Sequence, residues 1–293
     1  MIIPLKKAVH KTIPLREEAI ISDKSYLIER AHIFNKQYVW GKVCAEVAYD
    51  MILKKVPQKT LKFKKTADED VKGVILNVNS HNLLKTSGVI TGLEDNGFVK
   101  IDINANSKIT EKDKESAICE IQSAIVHELG HGNIYWKRYL NQQNINDIPD
   151  EYLFWRDVIS SNDINPESAL YKFCFACYST YYQEVQAFIS QTYGEILKIM
   201  QDFHIPKSKV TKRKFIGLIV KTEVYSIYHQ NIEFCNQLEE DDNLLLDLYS
   251  SLGVRGYDYT SAILLKKIKK IKEISQDALR CAYNSAYVWF FDN

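Results

Sequence analysis

The segment Ala124-Ile125-Val126-His127-Glu128-Leu129-Gly130-His131 holds two histidines four residues apart, with a glutamate directly after the first. On an α-helix, residues i and i+4 lie one above the other on the same face. Two imidazoles at this spacing can bind one Zn²⁺ ion, which takes histidine nitrogens at about 2.0–2.1 Å. Glu128 is offset by one position, so its carboxylate lies beside the metal and can exchange protons with water. The sequence therefore predicts a zinc site with His127 and His131 as ligands and Glu128 as the general base.

The residues before the motif are typical of an amphipathic helix. Thr110 and Asp113 resemble a capping box at its start. Gly130 stands between the two histidines although glycine costs a helix about 1 kcal/mol relative to alanine. An apolar stripe at helical spacing is formed by Ile118, Ile121, Ile125 and Leu129. We predict a helix that begins near Thr110 and carries the motif.

Three short segments upstream of the motif predict β-strands. Apolar residues alternate with polar ones over Val74–Val78 and over Val99–Ile103, which is typical of half-buried strands. Val89–Thr91 is a briefer β-like segment, and the turn Glu94–Gly97 predicts that it forms a hairpin with the strand that follows.

Most of the remaining chain predicts helices. A long helix is expected over residues 25–55, followed by a charged loop around Lys62–Asp70. Asn165 and Pro166 are predicted as the N-cap and first residue of another helix. That helix is expected over about 166–200, with a kink possible, and further helices near 211–230 and 259–288. The expected fold class is α+β, a small mixed sheet with the motif helix plus a helix-rich C-terminal part.

A strand followed by a His-Glu-x-x-His helix resembles the zincin metallopeptidases, and the resemblance covers about residues 72–132. It implies a zincin-like fold and a zinc-dependent endopeptidase that hydrolyses peptide bonds with metal-activated water. In that family an edge strand aligns the substrate, and residues 98–104 would have this role. Main-chain pairing with a sheet edge is a known way of holding extended peptides.

Catalytic zinc usually has three protein ligands, so a third one is expected. The metzincin extension is excluded because Ile134 and Lys137 stand where a glycine and a ligand would be needed. Glu184, with the small Ala187 one turn later, resembles the Glu-x-x-Ala of gluzincins, including the lethal-factor-like proteases, and is the favoured third ligand. Glu151 is the alternative, since its separation from His131 is similar to that in the thermolysin family, but it falls beside Pro149 in a segment predicted to be rich in loops.

The division expected from these assignments has two parts. Residues 1–140 would form the strand-bearing lobe with the motif helix, and residues 141–293 a helical lobe that supplies the third zinc ligand. Tyr178 is expected to stabilise the oxyanion, because lethal-factor-like enzymes use a tyrosine somewhat before the glutamate. His229 is an alternative donor.

Composition restricts the partners. The formal net charge is +1, so nothing global indicates nucleic acid or an anionic membrane. No Sec-type signal and no stretch of about 18 apolar residues is evident, which favours a cytoplasmic protein or export by a route without a Sec signal. The basic helix 263–274 could lie on lipid, but docking of its apolar stripe on the core is the preferred interpretation. Six cysteines in a chain of this size favour reduced thiols, with Cys174 and Cys177 buried on one helix face.

The expected partner is thus a peptide or protein substrate, with Zn²⁺ as cofactor; the oligomeric state is left open. Three rival interpretations remain: a proteolytically inactive zinc-binding or scaffold protein, a narrowly specific effector or toxin protease, and a structural helical protein without metal.

Overall fold

A computed structural model describes residues 24–64, 66–68, 70–81, 87–106, 109, 114–142, 149–257 and 259–291. A 3₁₀ turn at Lys207–Lys209 lies between the fifth and sixth helices. The elements in chain order are α1 (Lys24–Lys54), β1 (Gln58–Lys62), β2 (Gly73–His81), β3 (Ser87–Leu93), β4 (Phe98–Asn106), α2 (Lys114–Leu140), α3 (Asp150–Ser160), α4 (Ala169–Ser179), α5 (Tyr182–Asp202), α6 (Lys212–Ile219), α7 (Glu223–Glu240), α8 (Asp242–Val254) and α9 (Ser261–Phe291). The α+β prediction is confirmed.

The four strands form one mixed sheet in the order β1-β2-β4-β3. β2 and β4 are parallel, and each carries an antiparallel neighbour on its outer side. Val74 and Leu76 on β2, and Val99, Ile101 and Ile103 on β4, are completely buried. The alternation of apolar and polar residues therefore predicted the correct strands and the correct buried face.

Two predictions about the sheet need correction. Gln58–Lys62 forms an edge strand that the sequence pattern did not predict, because its residues are polar and lack alternating burial. The expectation that residues 98–104 form the edge strand was wrong, since β4 lies between β2 and β3. The edge on the motif side is β3, joined to β4 by the predicted hairpin, where Gly97 has a positive φ of 81°.

Helices α1 and α2 pack on each other and on the sheet. A Cβ atom at Gly41 would lie 2.5 Å from Val126 Cγ2, and one at Gly132 would lie 2.8 Å from Val99 Cγ1. Glycine fits at both positions because the methyl groups of Val126 and Val99 occupy the space that a side chain would need. The core beneath them includes Tyr49, which is 2% exposed. Helix α1 confirms the long helix expected at 25–55, whereas the proposed capping box at Thr110 and Asp113 lies outside the described residues.

Contacts divide the chain into two compact units. One unit consists of Ser22–Asn146, Gln186–Thr222 and Asn284–Asn293, and the other contains Asp147–Val185 and Glu223–Tyr283. Residues 186–222 thus belong by contact to the strand-bearing unit, whereas the sequence assigned them to a helical lobe. The lobes 1–140 and 141–293 stay a prediction.

The helical unit is built around a core of buried side chains from α3, α4, α7, α8 and α9. The segment expected as one helix over 166–200 is two, because α4 ends at Ser179 and α5 begins at Tyr182. Ser168 is the N-cap of α4, with its side chain accepting a hydrogen bond from the Tyr171 N–H. Asn165 instead accepts from the N–H of Glu167 in the preceding turn, so the Asn165 N-cap prediction was wrong.

The basic helix and the cysteines behave as expected. Leu264, Ile268 and Ile271 of α9 are buried in the core of the helical unit, which confirms the core interpretation. Cys174 and Cys177 are both buried, and all six cysteines are free thiols. Among the helices of the described ranges, none has both the length and the apolar character needed to span a bilayer.

Candidate metal centre

Helix α2 presents His127 and His131 on one face, one turn apart. Their Nε2 atoms lie 3.2 Å from each other, and their ring planes are inclined by 75°. Two nitrogens held at about 2.0–2.1 Å by a tetrahedral metal ion would lie roughly 3.3–3.4 Å apart. The two imidazoles therefore lie close enough for both Nε2 atoms to bind one ion.

The orientation of His127 is fixed by residues of α5. Its Nδ1 lies 3.1 Å from Oε1 of Gln191, and the side-chain amide of Gln191 donates in turn to Glu195. The ring of Phe188 lies edge-on to the His127 ring, with centroids 4.9 Å apart. Hydrogen bonding at Nδ1 leaves Nε2 as the nitrogen that faces the site, which is the usual outer-shell arrangement of a metal-binding histidine.

His131 is buried, and the ring of Tyr135 stacks on it at a centroid distance of 6.3 Å. Between the two histidines, Gly130 allows α2 and α5 to approach closely. A Cβ at Gly130 would lie 3.2 Å from the Cα of Ala187, which is itself completely buried. The small side chain of Ala187 therefore permits the close contact of the two helices.

Glu184 lies in the first turn of α5, one turn before Ala187. Ligand atoms of His127, His131 and Glu184 all lie within 4.8 Å of one another. The Glu184 side chain is 2% exposed, and its Oε1 accepts a hydrogen bond of 2.8 Å from the hydroxyl of Tyr152. A carboxylate this deeply buried needs charged or hydrogen-bonding partners, and a cation is one such partner.

Two buried tyrosines respond to the Glu184 carboxylate. Burial and the negative charge of Glu184 raise the pKa of Tyr152 far above its ordinary value. The pKa of Tyr228 is also raised, first by burial and then by Glu184, and its hydroxyl donates to the carbonyl of Ser179. Both phenols therefore stay protonated at neutral pH, so Tyr152 acts as a hydrogen-bond donor to Glu184.

Glu128 lies between α2 and the edge strand β3. Its Oε2 accepts a hydrogen bond of 3.1 Å from the backbone N–H of Ile90, and its side chain is buried. A Cβ at Gly88, two residues earlier on the same strand, would lie 3.0 Å from Glu128 Cγ. The carboxylate is thus held next to strand β3, on the helix that carries both histidines.

The other residues named from sequence have different surroundings. The ring of Tyr178 stacks on the ring of Tyr152, with centroids 5.3 Å apart. Tyr152 is in turn the residue that donates a hydrogen bond to Glu184. Glu151, the alternative ligand, accepts hydrogen bonds from Tyr259 and from Lys267, with which it forms an ion pair. His229 lies 3.5 Å from Glu233 and stacks on Tyr225. Glu151 and His229 are thus engaged in local structural contacts.

Sequence reasoning missed Tyr152, Gln191 and Glu195. Tyr152 carried no signal beyond its bulk, because a loop was predicted where helix α3 lies. Gln191 and Glu195 follow Glu184 by seven and eleven residues, close to two and three helical turns. That periodicity was a usable signal, since it places all three on one face of α5.

The donor set could hold a divalent metal ion. Two imidazole nitrogens and one carboxylate, with a further position left for water, are the ligands of many catalytic zinc sites. In the part of the chain that the structure describes, this is the group of three histidine, cysteine, aspartate or glutamate side chains close enough to hold an ion. The residue types permit other divalent metals as well.

Comparison of the chain with protein-family models, with curated proteins and with solved structures finds no match.

Proposed function

We propose that this protein is a zinc-dependent endopeptidase of the gluzincin type, with His127, His131 and Glu184 as ligands and Glu128 as the general base. The observation that supports the proposal most is that ligand atoms of these three side chains lie within 4.8 Å of one another, and that Glu128 lies on the same helix as the two histidines. A metal site alone would need no such carboxylate. Hydrolysis does, because a proton must leave the attacking water and reach the departing amine.

In this proposal zinc, when bound, lowers the pKa of water to about 7 and acts as a Lewis acid. Glu128 accepts the proton of the attacking water and later gives it to the leaving amine. The N–H of Ile90 orients the Glu128 carboxylate during both transfers, since it donates to Oε2. Tyr178 remains the proposed donor to the oxyanion that develops on the scissile carbonyl.

The edge strand β3 is the proposed support for an extended substrate. Among the strands of the described ranges, β3 pairs only with β4, so its other edge is open to a further strand. In a β-strand the backbone groups of residues i and i+2 point to the same edge. Because Ile90 directs its N–H to Glu128, the backbone of Gly88 faces the same side, where a peptide could add as a further strand.

The test compares the purified chain with two glutamate variants. Zinc content is measured by elemental analysis, and hydrolysis is followed on an unfolded, fluorescently labelled protein. Glu128→Gln should retain zinc and lose turnover, because an amide accepts the Ile90 hydrogen bond but cannot take a proton. Glu46→Gln, at an exposed position on α1, is the matched control and should retain both.

Each alternative gives a different result. Hydrolysis undiminished in Glu128→Gln would reject the mechanism. Zinc bound without hydrolysis of any protein would indicate a zinc-binding scaffold. If the chain retains no zinc after dialysis against a zinc-containing buffer, the metal site is rejected altogether.

A further inference from the structure

A groove of about 490 Å³ opens within the helical unit. Trp155 and Cys177 line its floor, and both are buried in the core. Tyr181 and Tyr182, where α4 gives way to α5, form one wall. Helix α9 forms the other wall with Ile263, Lys266, Lys270, Ile271 and Ile274.

The charge of this groove is positive. Lys267 and Glu151 both line it, but they form an ion pair with each other and add no net charge. Lys266 and Lys270 are exposed, and across the described ranges no ion pair is formed by either. They lie four residues apart on α9, so their amines extend from the same face of the helix, with Cβ atoms about 5–6 Å apart.

We infer that this groove binds a segment of peptide in which acidic and apolar residues alternate, an inference that rests on the proposed function because the segment would belong to the substrate. Side chains i and i+2 of an extended peptide lie about 6.5–7 Å apart, and the long, flexible side chains of the two lysines can reach two acids at that spacing. The apolar side chains between the acids would contact the isoleucines and tyrosines of the walls.

A short path links the groove to Glu184. The ring of Tyr181 lies 4.6 Å from the ring of Tyr152, and the Tyr152 hydroxyl donates to Glu184. Tyr182 is two residues before Glu184 in the same turn of α5. A peptide in the groove therefore lies one aromatic ring from a metal ligand, and this favours a substrate segment over a lipid.

The experiment measures binding separately from catalysis. The full chain carrying Glu128→Gln is titrated into a fluorescein-labelled peptide of alternating Glu and Leu, and anisotropy gives the Kd. A counterpart with Gln in place of Glu should bind at least about tenfold more weakly, and the difference should shrink at high salt. Replacing Lys266 and Lys270 together by Gln should weaken binding of the acidic peptide about tenfold. Lys269→Gln is the matched control, since Lys269 is exposed on α9 outside the groove, and it should leave the Kd unchanged.

Equal affinity for both peptides, or an unchanged Kd in the double lysine variant, would overturn the inference. Binding of vesicles rich in anionic lipid, but not of the acidic peptide, would overturn it in favour of a lipid surface. The proposed function fails separately: if the acidic peptide binds in the groove but the native chain hydrolyses no unfolded protein, the groove stands and the peptidase is rejected. If the native chain cleaves unfolded protein but does not bind the acidic peptide, the peptidase proposal is supported and the inference about the groove is rejected.

Discussion

Nδ1 of His127 lies 3.1 Å from Oε1 of Gln191, and this contact determines which nitrogen of the imidazole carries a proton. The Gln191 amide donates to Glu195, and a carboxylate can only accept. The NH₂ group of Gln191 must therefore face Glu195, which turns Oε1 towards the histidine. Nδ1 then carries the proton and Nε2 keeps its lone pair for a metal. The Glu195 carboxylate, which is connected to His127 through Gln191, thus selects the tautomer of His127.

Removing the Gln191 side chain should weaken metal binding. We expect Gln191→Ala to lower zinc affinity about 10- to 100-fold, the usual cost of losing an outer-shell partner. Competition with a chromogenic chelator measures the affinity. Gln186→Ala is the matched control, because Gln186 is half-buried on the same helix. The helical repeat places it on a different face of α5 from Gln191. Equal zinc affinity in the two variants would mean that the contact has no part in metal binding.

The parts of the fold that the sequence predicted are those with strong local periodicity. Helix α1, the buried strands β2 and β4 and their hairpin partner follow from spacing within a few residues. The missed elements have weak local signals. Strand β1 is polar and gains its order by pairing with β2, while α3 begins directly after Pro149 in a segment whose composition indicated a loop. Their conformations depend on partners distant in sequence.

The same distinction applies to the candidate site. His127, Glu128 and His131 could be named because their relation is a matter of helical geometry alone. The edge strand was assigned wrongly because strand order is a tertiary property: β4 follows β3 in sequence, yet it is β3 that lies at the edge. Tyr152 was missed because it meets Glu184 across 32 residues of sequence.

Loss of the Glu184 carboxylate should abolish tight metal binding, whereas loss of Glu151 should not. Glu184→Gln can still accept the hydrogen bond from Tyr152, so we expect the fold to persist while zinc affinity falls by more than about 100-fold. Glu151→Gln breaks a half-exposed ion pair with Lys267 and should lower the unfolding free energy by about 1 kcal/mol, with zinc retained. Elemental analysis and urea denaturation distinguish the two. Zinc lost from the Glu151 variant and kept by the Glu184 variant would reverse the ligand assignment.

Alkaline pH should destabilise the chain through its buried thiols. Burial raises the pKa of Cys44, Cys174 and Cys235 to about 12, from an ordinary value of 9.0. Above pH 9 the unfolded chain releases these protons while the folded chain keeps them, so the unfolded state is favoured. This contribution to stability is complete below pH 9 and is lost as pH rises towards about 12, at about 1.4 kcal/mol per pH unit for each thiol.

Urea denaturation at several pH values above 9 measures that slope. Cys44→Ala should remove the contribution of one thiol to this slope, because Cys44 is completely buried. Cys281→Ala is the control, since Cys281 is only half-buried. An identical pH dependence in the native chain and in Cys44→Ala would contradict the assignment.

A larger side chain at Gly130 should separate two helices of the candidate site. Because a Cβ there already meets the Cα of Ala187 at 3.2 Å, valine would push α5 away from α2. We expect Gly130→Val to cost about 1–3 kcal/mol of unfolding free energy, as is usual for overpacking. Zinc affinity should fall with it, since α5 carries Glu184 and Gln191. Gly217→Val is the matched control: Gly217 lies in α6 with no atom within 4 Å of an added Cβ, so valine should be neutral or gain a few tenths of a kcal/mol. Equal stability and equal zinc affinity in the two variants would show that the close contact of α2 with α5 does not hold the site together.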